Sequence, residues 1–382
     1  MTEPLIDVTI AVHSASRPIA RAVASVLDFT EAPIRVTVVA HNIDTETIRR
    51  NLGRYAAHPQ LRVSSLRDGI ASPAGPMNHG FSISTAPFIT VMGSDDELAP
   101  GALDSWLALQ RKTGAEAVLA RIQLADGRSD PYPPVRTGRR TRNLSGCKDR
   151  LAYRSAPLGL IDRRRFGDLR LTEGLSSGED LTYSLTIWFT GQRLAYDLSG
   201  PAYIVRSDAV DRVTFAARPV AHDFAYLDEL VNLAWFNDAP KRVREAIVIK
   251  LIRIHVFDAI MARTRTADEF RGSRTQLIDI IARLGHLAPG ALRLLSRADR
   301  LVLDALEDPS ISADTVSKYC AARRSFRSPA ALLTRNPLHS LDSQAPFRTL
   351  LAGWRIMRRA HPNAQKDAQR VPTISEDRKD LA

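Results

Sequence analysis

The stretch PFITVMGSDDEL, residues 87–98, joins an apolar run to a cluster of carboxylates. The run has the composition of a buried strand, and it ends where Asp95 and Asp96 begin. In open α/β sheets, ligands bind beyond the carboxyl ends of the strands. Adjacent carboxylates at that edge suit a hard divalent cation that bridges phosphate oxygens. The stretch therefore predicts an α/β sheet with a metal-phosphate site at the end of one strand.

The sequence on both sides of this stretch alternates between strand and helix patterns. Apolar or alternating runs predict strands over residues 5–12, 34–40, 61–66, 117–124 and 202–206. Helical spacing predicts helices over residues 19–29, 45–55, 77–84, 100–112 and 180–189. Such alternation is typical of a Rossmann-like, doubly wound mixed sheet that is mainly parallel.

The pattern changes after about residue 215, because apolar spacing is helical throughout residues 224–323. Stops within that part are predicted at Pro240, Gly272, Pro289 and Pro309. We therefore predict a catalytic domain over residues 1–215 and an all-helical domain over 216–330. The remainder, 331–382, combines a linker, a basic amphipathic helix at 347–360 and a polar, disordered tail.

The composition is that of an ordinary globular protein with a basic surface. The 382 residues are 44% hydrophobic and 25% charged, and the net charge is +11. This charge favours an anionic partner, such as a membrane, a polymer substrate or a nucleic acid, although an arginine-rich surface without a partner stays equally open. Because no basic module is interleaved with aromatic residues, we do not predict nucleic-acid recognition.

The cysteines and the N-terminus predict a cytoplasmic protein. Cys147 and Cys320 lie far apart, so they form neither a disulfide framework nor a metal cluster. The N-terminus lacks the pattern of a signal peptide, and no apolar stretch reaches the ~18 residues that span a bilayer. The amphipathic helix either lies on the anionic inner face of the plasma membrane or packs against the helical domain. Self-association into a homo-oligomer is also left open.

A second acidic cluster, Gly178-Glu179-Asp180, lies well downstream of the first. A buried carboxylate with a raised pKa can act as a general base near neutral pH. Asp180 is the first candidate for this role, and Glu179 is the second. Both residues also suit the N-terminus of a helix, where negative charge is favourable, and the two roles are compatible.

Five segments of the chain resemble the family 2 glycosyltransferases, which adopt the GT-A fold. They are residues 8–14 at the first strand, 78–80 with 86–89 before the metal motif, 94–100 at that motif, Glu179-Asp180, and 203–206 with 211–214 where the catalytic domain closes. Their order and spacing agree with one another, so the resemblance covers about residues 5–215.

The resemblance implies transfer of a sugar from a nucleoside diphosphate-sugar, with a UDP-sugar as the first candidate, to a hydroxyl acceptor. It also implies a single displacement that inverts the anomeric carbon. It implies Mn²⁺ or Mg²⁺ held by Asp95, with Asp96 beside it, since a cation neutralises the departing diphosphate. It implies that Asp180 is the general base, with Glu179 as the second candidate for that role. The donor-binding residues it implies are Ala11, His13, Arg17, Asn42, Asn78, Asp96 and Arg206.

Three positions depart from the family pattern. Gly93 stands where an acidic residue is usual, so the metal motif is one carboxylate short. Ala40-His41-Asn42 replaces the acidic residue that contacts the nucleobase, and Asn42 or Asp44 could substitute for it. Arg206 lies near the usual place of a metal-contacting histidine. An arginine cannot ligate a metal, but it can grip a diphosphate.

Arginines crowd residues 136–154, between the metal strand and the base helix, where this family places acceptor loops. We predict that Arg139, Arg140 and Arg142 bind the acceptor. Guanidinium groups suit an anionic acceptor, such as a phosphate-bearing polymer or a lipid-linked diphosphate. The acceptor would then belong to a cell-envelope or capsular glycan, whereas a flexible solvated loop is the alternative.

Two other functions stay open. A nucleotidyltransferase shares the sheet and the metal carboxylates, but residues 12–17 are a poor match to its Gly-rich, basic signature. A degenerate, non-catalytic GT-A protein would act as a scaffold or would bind anions or nucleic acid, and Gly93 and Ala40 give it weight. Salt-sensitive binding of nucleic acid without affinity for a nucleotide-sugar would identify that case.

Overall fold

The computed structural model describes residues 3–208 and 218–370. The family-like segment 211–214, the predicted domain boundary at 215 and the end of the predicted tail, 371–382, lie outside the described residues. Within the described part, a mixed α/β domain is followed by a helical region, as the sequence predicts.

Ten strands form two sheets in the described part of the chain. The strands are β1 Ile6–Val12, β2 Ile34–His41, β3 Leu61–Leu66, β4 Phe88–Gly93, β5 Glu97–Leu98, β6 Ala117–Ala120, β7 Ile122–Leu124, β8 Gly159–Asp162, β9 Leu194–Asp197 and β10 Tyr203–Val205. The large sheet has the order β3-β2-β1-β4-β8-β6-β9, and β8 is antiparallel to both of its neighbours. The small sheet has the order β5-β10-β7. This arrangement is the mixed, mainly parallel sheet of the GT-A fold.

The helices of the α/β domain lie between these strands. They are α1 Ile19–Leu27, α2 Thr45–Leu52, α3 Ala74–Ser82, α4 Ala102–Thr113, α5 Arg163–Phe166 and α6 Leu181–Thr190. Later helices are α7 Val220–Asp223, α8 Tyr226–Asn232, α9 Ala234–Asn237, α10 Lys241–Leu251, α11 Phe257–Arg263, α12 Ala267–Leu287, α13 Arg297–Glu307, α14 Ala313–Ala322, α15 Pro329–Leu332 and α16 Pro346–Arg370. A π-helical turn, Ile252–Val256, joins α10 to α11.

The centre of the large sheet explains where the site lies. Ile6, Val8 and Ile10 of β1 are fully buried, because helices cover both faces of a parallel sheet. The register pairs Ala11 with Gly93 and Val12 with Ala40. The carboxyl ends of β1, β2 and β4 therefore meet at one edge, which is where the predicted donor site falls.

Three details differ from the sequence prediction. Residues 117–124 form two strands in different sheets, because the chain turns at Arg121, whose buried guanidinium donates to Gly200 O at 3.0 Å. The short strands β5 and β9 were not predicted. Gly272 does not stop a helix, since it lies within α12, where a Cβ would meet open space.

The core of the helical region extends onto helix α6 of the α/β domain. Leu181 and Leu185 of α6 belong to the same apolar cluster as Leu227 and Ile247 of the helical region. The two parts therefore bury apolar surface against each other, which removes far more of it from water than a flexible tether would.

Across the described residues, we find no helix that combines the length and the apolar character needed to cross a membrane.

Candidate active site

Asp95 lies just beyond β4 and faces the loop that follows β1. Arg17 Nη1 is 2.7 Å from Asp95 Oδ2, and the two side chains are only 7% and 13% exposed. Both residues were predicted in the donor and metal site, and the structure brings them together. A shielded ion pair of this kind is worth more than one on an open surface.

Asp96 points in a different direction and ties β4 to β10. The Tyr203 hydroxyl donates to Asp96 Oδ2 at 2.7 Å, and the Arg206 N–H donates to Oδ1 at 3.0 Å. The same hydroxyl accepts from the Gly93 N–H at 2.9 Å. Burial raises the pKa of Tyr203 well above its usual value, and the field of Asp96 adds to the effect. Asp96 thus holds the end of the small sheet.

Two further arginines surround the acidic motif through Glu97. Arg21 Nε is 3.0 Å and Arg206 Nε is 2.8 Å from Glu97 Oε1. Arg21 also donates to Asp95 O at 2.7 Å and forms an ion pair with Asp208. Arg21, Glu97 and Tyr203 were missed in the sequence. Arg21 could have been found, because it lies in the first turn of the helix predicted directly after Arg17.

The side chains at this site can bind a divalent cation through Asp95. Both oxygens of Asp96 already accept hydrogen bonds, so the predicted role of Asp96 as a metal ligand is not supported by its contacts. In the described part of the chain, no group of three or more His, Cys, Asp or Glu side chains could hold a metal. Mg²⁺ needs only one or two carboxylates when substrate phosphates and waters complete its shell, and Asp95 meets that need.

Gly93 is close to both aspartates. A Cβ at this position would lie 2.8 Å from Asp96 Oδ2 and 3.1 Å from Asp95 Oδ1. The carboxylate that the family usually places here would therefore crowd two others, so the neighbourhood is built around a glycine.

Asp180 occupies the N-cap position directly before α6. Its side chain makes no capping hydrogen bond, so the carboxylate is not used to cap the helix. Burial, and next the neighbouring Glu179, raise the pKa of Asp180 to about 7, while Lys250 opposes the shift. Burial also raises the pKa of Glu179. A carboxylate that titrates near neutral pH is suited to general base catalysis.

The end of β2 carries a polar cluster around a residue that the sequence analysis missed, Asp68. Asn42, with a φ of 55°, donates to Asp68 Oδ1 at 3.1 Å and accepts from the Gly69 N–H at 3.0 Å. His41 Nε2 is 2.8 Å from the same oxygen. Burial opposes ionisation of Asp68, but the hydrogen bonds from Ile70, His41 and Asn42 lower its pKa to about 2. This carboxylate lies beside Ala40-His41-Asn42, where this chain lacks the acidic residue of the family pattern.

Three other predicted donor residues divide into two kinds. Ala11 is half-buried within β1, and His13 is exposed in the loop after it, so both lie at the site edge. Asn78 does not face the site. Its amide donates to Leu171 O at 3.0 Å and to Glu173 Oε1 at 2.9 Å, and it accepts from the Leu171 N–H at 2.9 Å. Asn78 therefore fixes a loop, and its predicted donor contact is not supported.

The structure does not bring the predicted acceptor arginines, Arg139, Arg140 and Arg142, to the base. Their segment runs along the sheet edge, where Tyr196 N–H of β9 donates to Thr141 O at 2.9 Å. A Cβ at Gly146, just beyond them, would lie 2.5 Å from Trp188 O, near the end of α6 that is opposite to Asp180. At 1.5 Å per residue, that end is ~12 Å from the start of the helix.

Other arginines of the 136–154 loop hold it together, so the alternative of a flexible solvated loop is also unsupported. Arg136 pairs with the fully buried Asp149 at 2.8 Å. Arg150 donates to Pro134 O at 2.7 Å, and Arg154 donates to Ala120 O at 2.8 Å.

Comparisons with known proteins agree with this architecture. Residues 7–169 match the model of Glycosyl transferase family 2. S. aureus TarS 1-349 in complex with UDP-GlcNAc has a TM-score of 0.63 at 15% identity, covering 84% of this chain and 91% of that chain. S. aureus TarS 1-349 alone gives 0.61 at 15% identity with the same coverage, and its complex with UDP gives 0.55 at 16% identity, again over 84% and 91%. At these identities the likeness shows the fold. No curated protein matches the sequence.

Proposed function

We propose that this chain transfers a sugar from a UDP-sugar to a hydroxyl group of a cell-envelope glycan, because residues 7–169 match the model of Glycosyl transferase family 2. The family match favours this activity over a nucleotidyltransferase or a non-catalytic scaffold. Solved structures with this fold include complexes with UDP-GlcNAc and with UDP, which supports a uridine nucleotide as the donor.

The observation that carries the proposal is the cluster of Arg17, Arg21 and Arg206 around the motif at the end of β4. All three guanidinium groups lie within 3.0 Å of Asp95 or Glu97 side-chain oxygens. Guanidinium groups bind phosphate oxygens by charge-assisted hydrogen bonds, and the carboxyl ends of the strands are where such a ligand enters. A diphosphate seated here would be held by more than one cation.

The reaction then needs one proton acceptor. The acceptor hydroxyl oxygen attacks the anomeric carbon while Asp180 removes its proton. The bond between that carbon and the diphosphate oxygen breaks, and the nucleoside diphosphate leaves with the electron pair. Attack and departure on opposite faces invert the anomeric centre. Glu179 keeps negative charge beside Asp180, which favours uptake of the proton.

Asp95 would hold a divalent cation, Mn²⁺ or Mg²⁺, which when bound neutralises charge on the departing diphosphate. Arg17 already pairs with Asp95, so this guanidinium is placed to exchange the carboxylate for a donor phosphate. The arginines would therefore neutralise the same negative charge on the diphosphate as the cation does.

Donor binding can be tested by thermal shift with UDP-GlcNAc and other UDP-sugars, with and without Mn²⁺. Binding stabilises the folded state by mass action, so at a concentration of 100 times Kd the gain is about 2.7 kcal/mol. We expect Asp95→Asn to reduce the shift. Asp314→Asn is the matched control, because Asp314 pairs with Lys318 on the exposed side of α14. The donor assignment is wrong if no nucleoside diphosphate-sugar raises the melting temperature.

We also propose that α16 places the enzyme on an anionic membrane. Ala352 and Gly353 face Pro131 and Gly138 of the α/β domain, so this part of the helix packs against that domain. Its opposite face exposes Phe347 (49%) and Trp354 (42%). Arg358 lies on this face and stacks on the Trp354 ring at 4.0 Å. An exposed apolar face beside cations suits an interface rich in anionic lipid.

Vesicle flotation tests this surface. We expect binding to phosphatidylserine vesicles, weaker binding to phosphatidylcholine vesicles, and loss of binding for Phe347→Ser with Trp354→Ser. Phe326→Ser, at another exposed aromatic residue, should leave binding unchanged. If no vesicle binds and sedimentation shows a homo-oligomer that the double variant dissociates, a second copy covers the face and the membrane assignment is wrong.

A further inference from the structure

The helical region contains a cavity with a basic lining. It has a volume of about 350 Å³ and lies where the chain between α12 and α13 meets residues 335–339. Its polar lining residues are Arg293, Arg300, Arg335, Asn336 and His339, and three apolar residues complete it. Within the described part of the chain, the lining includes no carboxylate. Ligand pockets typically measure ~300–1,000 Å³, so this one suits a small anionic group.

The three arginines of the cavity are not fully neutralised by their acidic neighbours. Arg335 pairs with Asp304, and Arg300 Nη2 is 3.7 Å from the same carboxylate. Arg293 Nη2 is 3.5 Å from Glu245 Oε1. Three guanidinium groups thus share two carboxylates, and the last two distances are longer than hydrogen bonds. The arginines can therefore donate to a further anion.

The segment that supplies Arg335 and His339 also exposes an apolar face. Leu338 and Leu341, in the short 3₁₀-helix Pro337–Leu341, are 74% and 72% exposed. A 3₁₀-helix has about three residues per turn, so these two leucines lie on one face. His339 is about a third of a turn away and lines the cavity. The leucines therefore lie at the rim of the basic cavity.

Hydrogen bonds within the protein fix this helix in place. The buried Thr334 donates through Oγ1 to Asn336 O at 2.6 Å, and its N–H donates to Ser340 Oγ at 3.2 Å. The Leu338 N–H donates to Asn336 Oδ1 at 3.1 Å. Thr334 thus binds the chain on both sides of Leu338. The exposure of the leucines is a property of this bonded scaffold.

The same face continues onto α16. Arg348 Nη1 donates to Leu341 O at 2.6 Å, which joins the end of the 3₁₀-helix to the first turn of α16. Phe347, directly before Arg348, is one of the exposed apolar residues of α16. The leucine face is therefore a neighbour of the surface that we assign to an anionic membrane.

We propose that the cavity binds the phosphate of an anionic lipid headgroup while Leu338 and Leu341 enter the apolar edge of the bilayer. Guanidinium groups bind phosphate by charge-assisted hydrogen bonds. The arginines alone would suit any phosphate, and the leucines alone would suit any apolar partner. A lipid carries a phosphate next to apolar chains, so it matches both features at once. The inference deepens the proposed membrane contact of α16 and rests on it.

The test is flotation of the full chain with phosphatidylglycerol or phosphatidylcholine vesicles. Removing the cavity cations with Arg293→Gln and Arg335→Gln together should weaken binding to phosphatidylglycerol roughly thirtyfold, the effect of two interfacial arginines. The matched control is Arg271→Gln with Arg324→Gln, since these exposed arginines also pair with carboxylates. It should change binding by less than about threefold. An equal loss in both double variants means that net charge alone acts and overturns the inference.

The leucines are tested separately by Leu338→Ser with Leu341→Ser. Loss of their apolar contact should weaken binding to both kinds of vesicle by about tenfold or more and leave the preference for phosphatidylglycerol. Unchanged binding would mean that this face does not meet the bilayer, which overturns the inference. If the double arginine variant does not fold, Arg335→Gln alone decides, with an expected loss of roughly fivefold.

The α16 variant of the preceding section separates the two membrane assignments. If the parent protein binds no vesicle, both assignments fail. If Phe347→Ser with Trp354→Ser loses binding while the cavity and leucine variants bind as the parent does, only the headgroup cavity is wrong.

Discussion

Asp95 and Asp96 are adjacent in the chain, yet their carboxylates have different partners and different roles. Asp95 faces Arg17, a cation that a donor phosphate can compete for. Asp96 accepts hydrogen bonds from Tyr203 and from the backbone of Arg206, so it fixes the end of the small sheet beside the site. The sequence predicts the position of both residues, because they follow a buried strand. It does not separate their roles, since Tyr203 lies 107 residues further along the chain than Asp96.

The same limit applies to Asp180. Its place before a helix, together with the family pattern, marks it as a base. Burial raises the pKa of Asp180, and a local sequence pattern does not show which parts of the chain bury a given residue.

Asp180→Asn should abolish sugar transfer without weakening donor binding. A general base contributes ~10²–10⁴-fold to the rate, so kcat should fall by that factor. In the parent protein, the carboxylate forms as the pH rises through about 7, so kcat should rise with pH over that range. Steady-state kinetics from pH 5.5 to 8.5, with donor affinity from thermal shift, check both points. A parent profile that is flat from pH 6 to pH 8 would contradict the assignment.

Gly93→Asp, which restores the usual family carboxylate, should destabilise the protein. Its Cβ would lie 2.8 Å from Asp96 Oδ2, an oxygen fixed by Tyr203, and a third negative charge would be added. Overpacking typically costs ~1–3 kcal/mol. Gly93→Ala is the control that adds the Cβ without the charge and should show the smaller loss in urea unfolding. Equal stability of Gly93→Asp and the parent protein would show that the site has room for the carboxylate.

At the scale of elements, parallel register decides what the sequence can predict. The pairing of β1 with β2 and β4 follows from their apolar patterns, and it places the ends of these strands together. Short pieces such as β5, with two residues, carry too little pattern to be recognised. Residues 136–154 show the opposite error. Their charge suggested a binding loop, but Arg136, Arg150 and Arg154 are structural, because each is bonded within the protein.

Asn78→Ala should affect the loop more than the donor. Asn78 lies on α3 and makes three hydrogen bonds to Leu171 and Glu173, and Thr172 N–H donates to Glu179 O at 2.9 Å. Unpaired buried groups cost ~1–3 kcal/mol, so urea unfolding should show a loss of this size. kcat should fall because the loop leads to Glu179, while donor affinity stays constant. Asn237→Ala, at an exposed asparagine with one hydrogen bond, is the control. A selective loss of donor affinity would restore the original prediction for Asn78.

For the whole molecule, the shared core is the feature that sequence patterns miss. Composition and spacing divide the chain into an α/β part and a helical part, and the structure keeps that division in its elements. The predicted helical module packs directly on the α/β part, because α6, which follows Asp180, is buried against α8 and α10. Apolar spacing shows which face of a helix is buried but not which partner covers it. The base is therefore built from both parts of the chain.

This shared core predicts that the two parts unfold together. Leu227 of α8 is fully buried in the cluster that includes Leu181 and Leu185. Leu227→Ala should cost ~2–5 kcal/mol, the usual range for a buried leucine. Leu301→Ala, at a position that is 45% exposed, is the matched control and should cost little. Leu227 lies far along the chain from the donor motif. If the helical region were an independent module, Leu227→Ala would destabilise that region alone, and the thermal shift that donor binding gives the α/β domain would be unchanged.

A common core instead predicts a single calorimetric transition. Its midpoint should fall in Leu227→Ala and should still rise when donor binds. Two resolved transitions, only one of which responds to the substitution, would show that the parts fold separately and that Asp180 does not depend on the helical region.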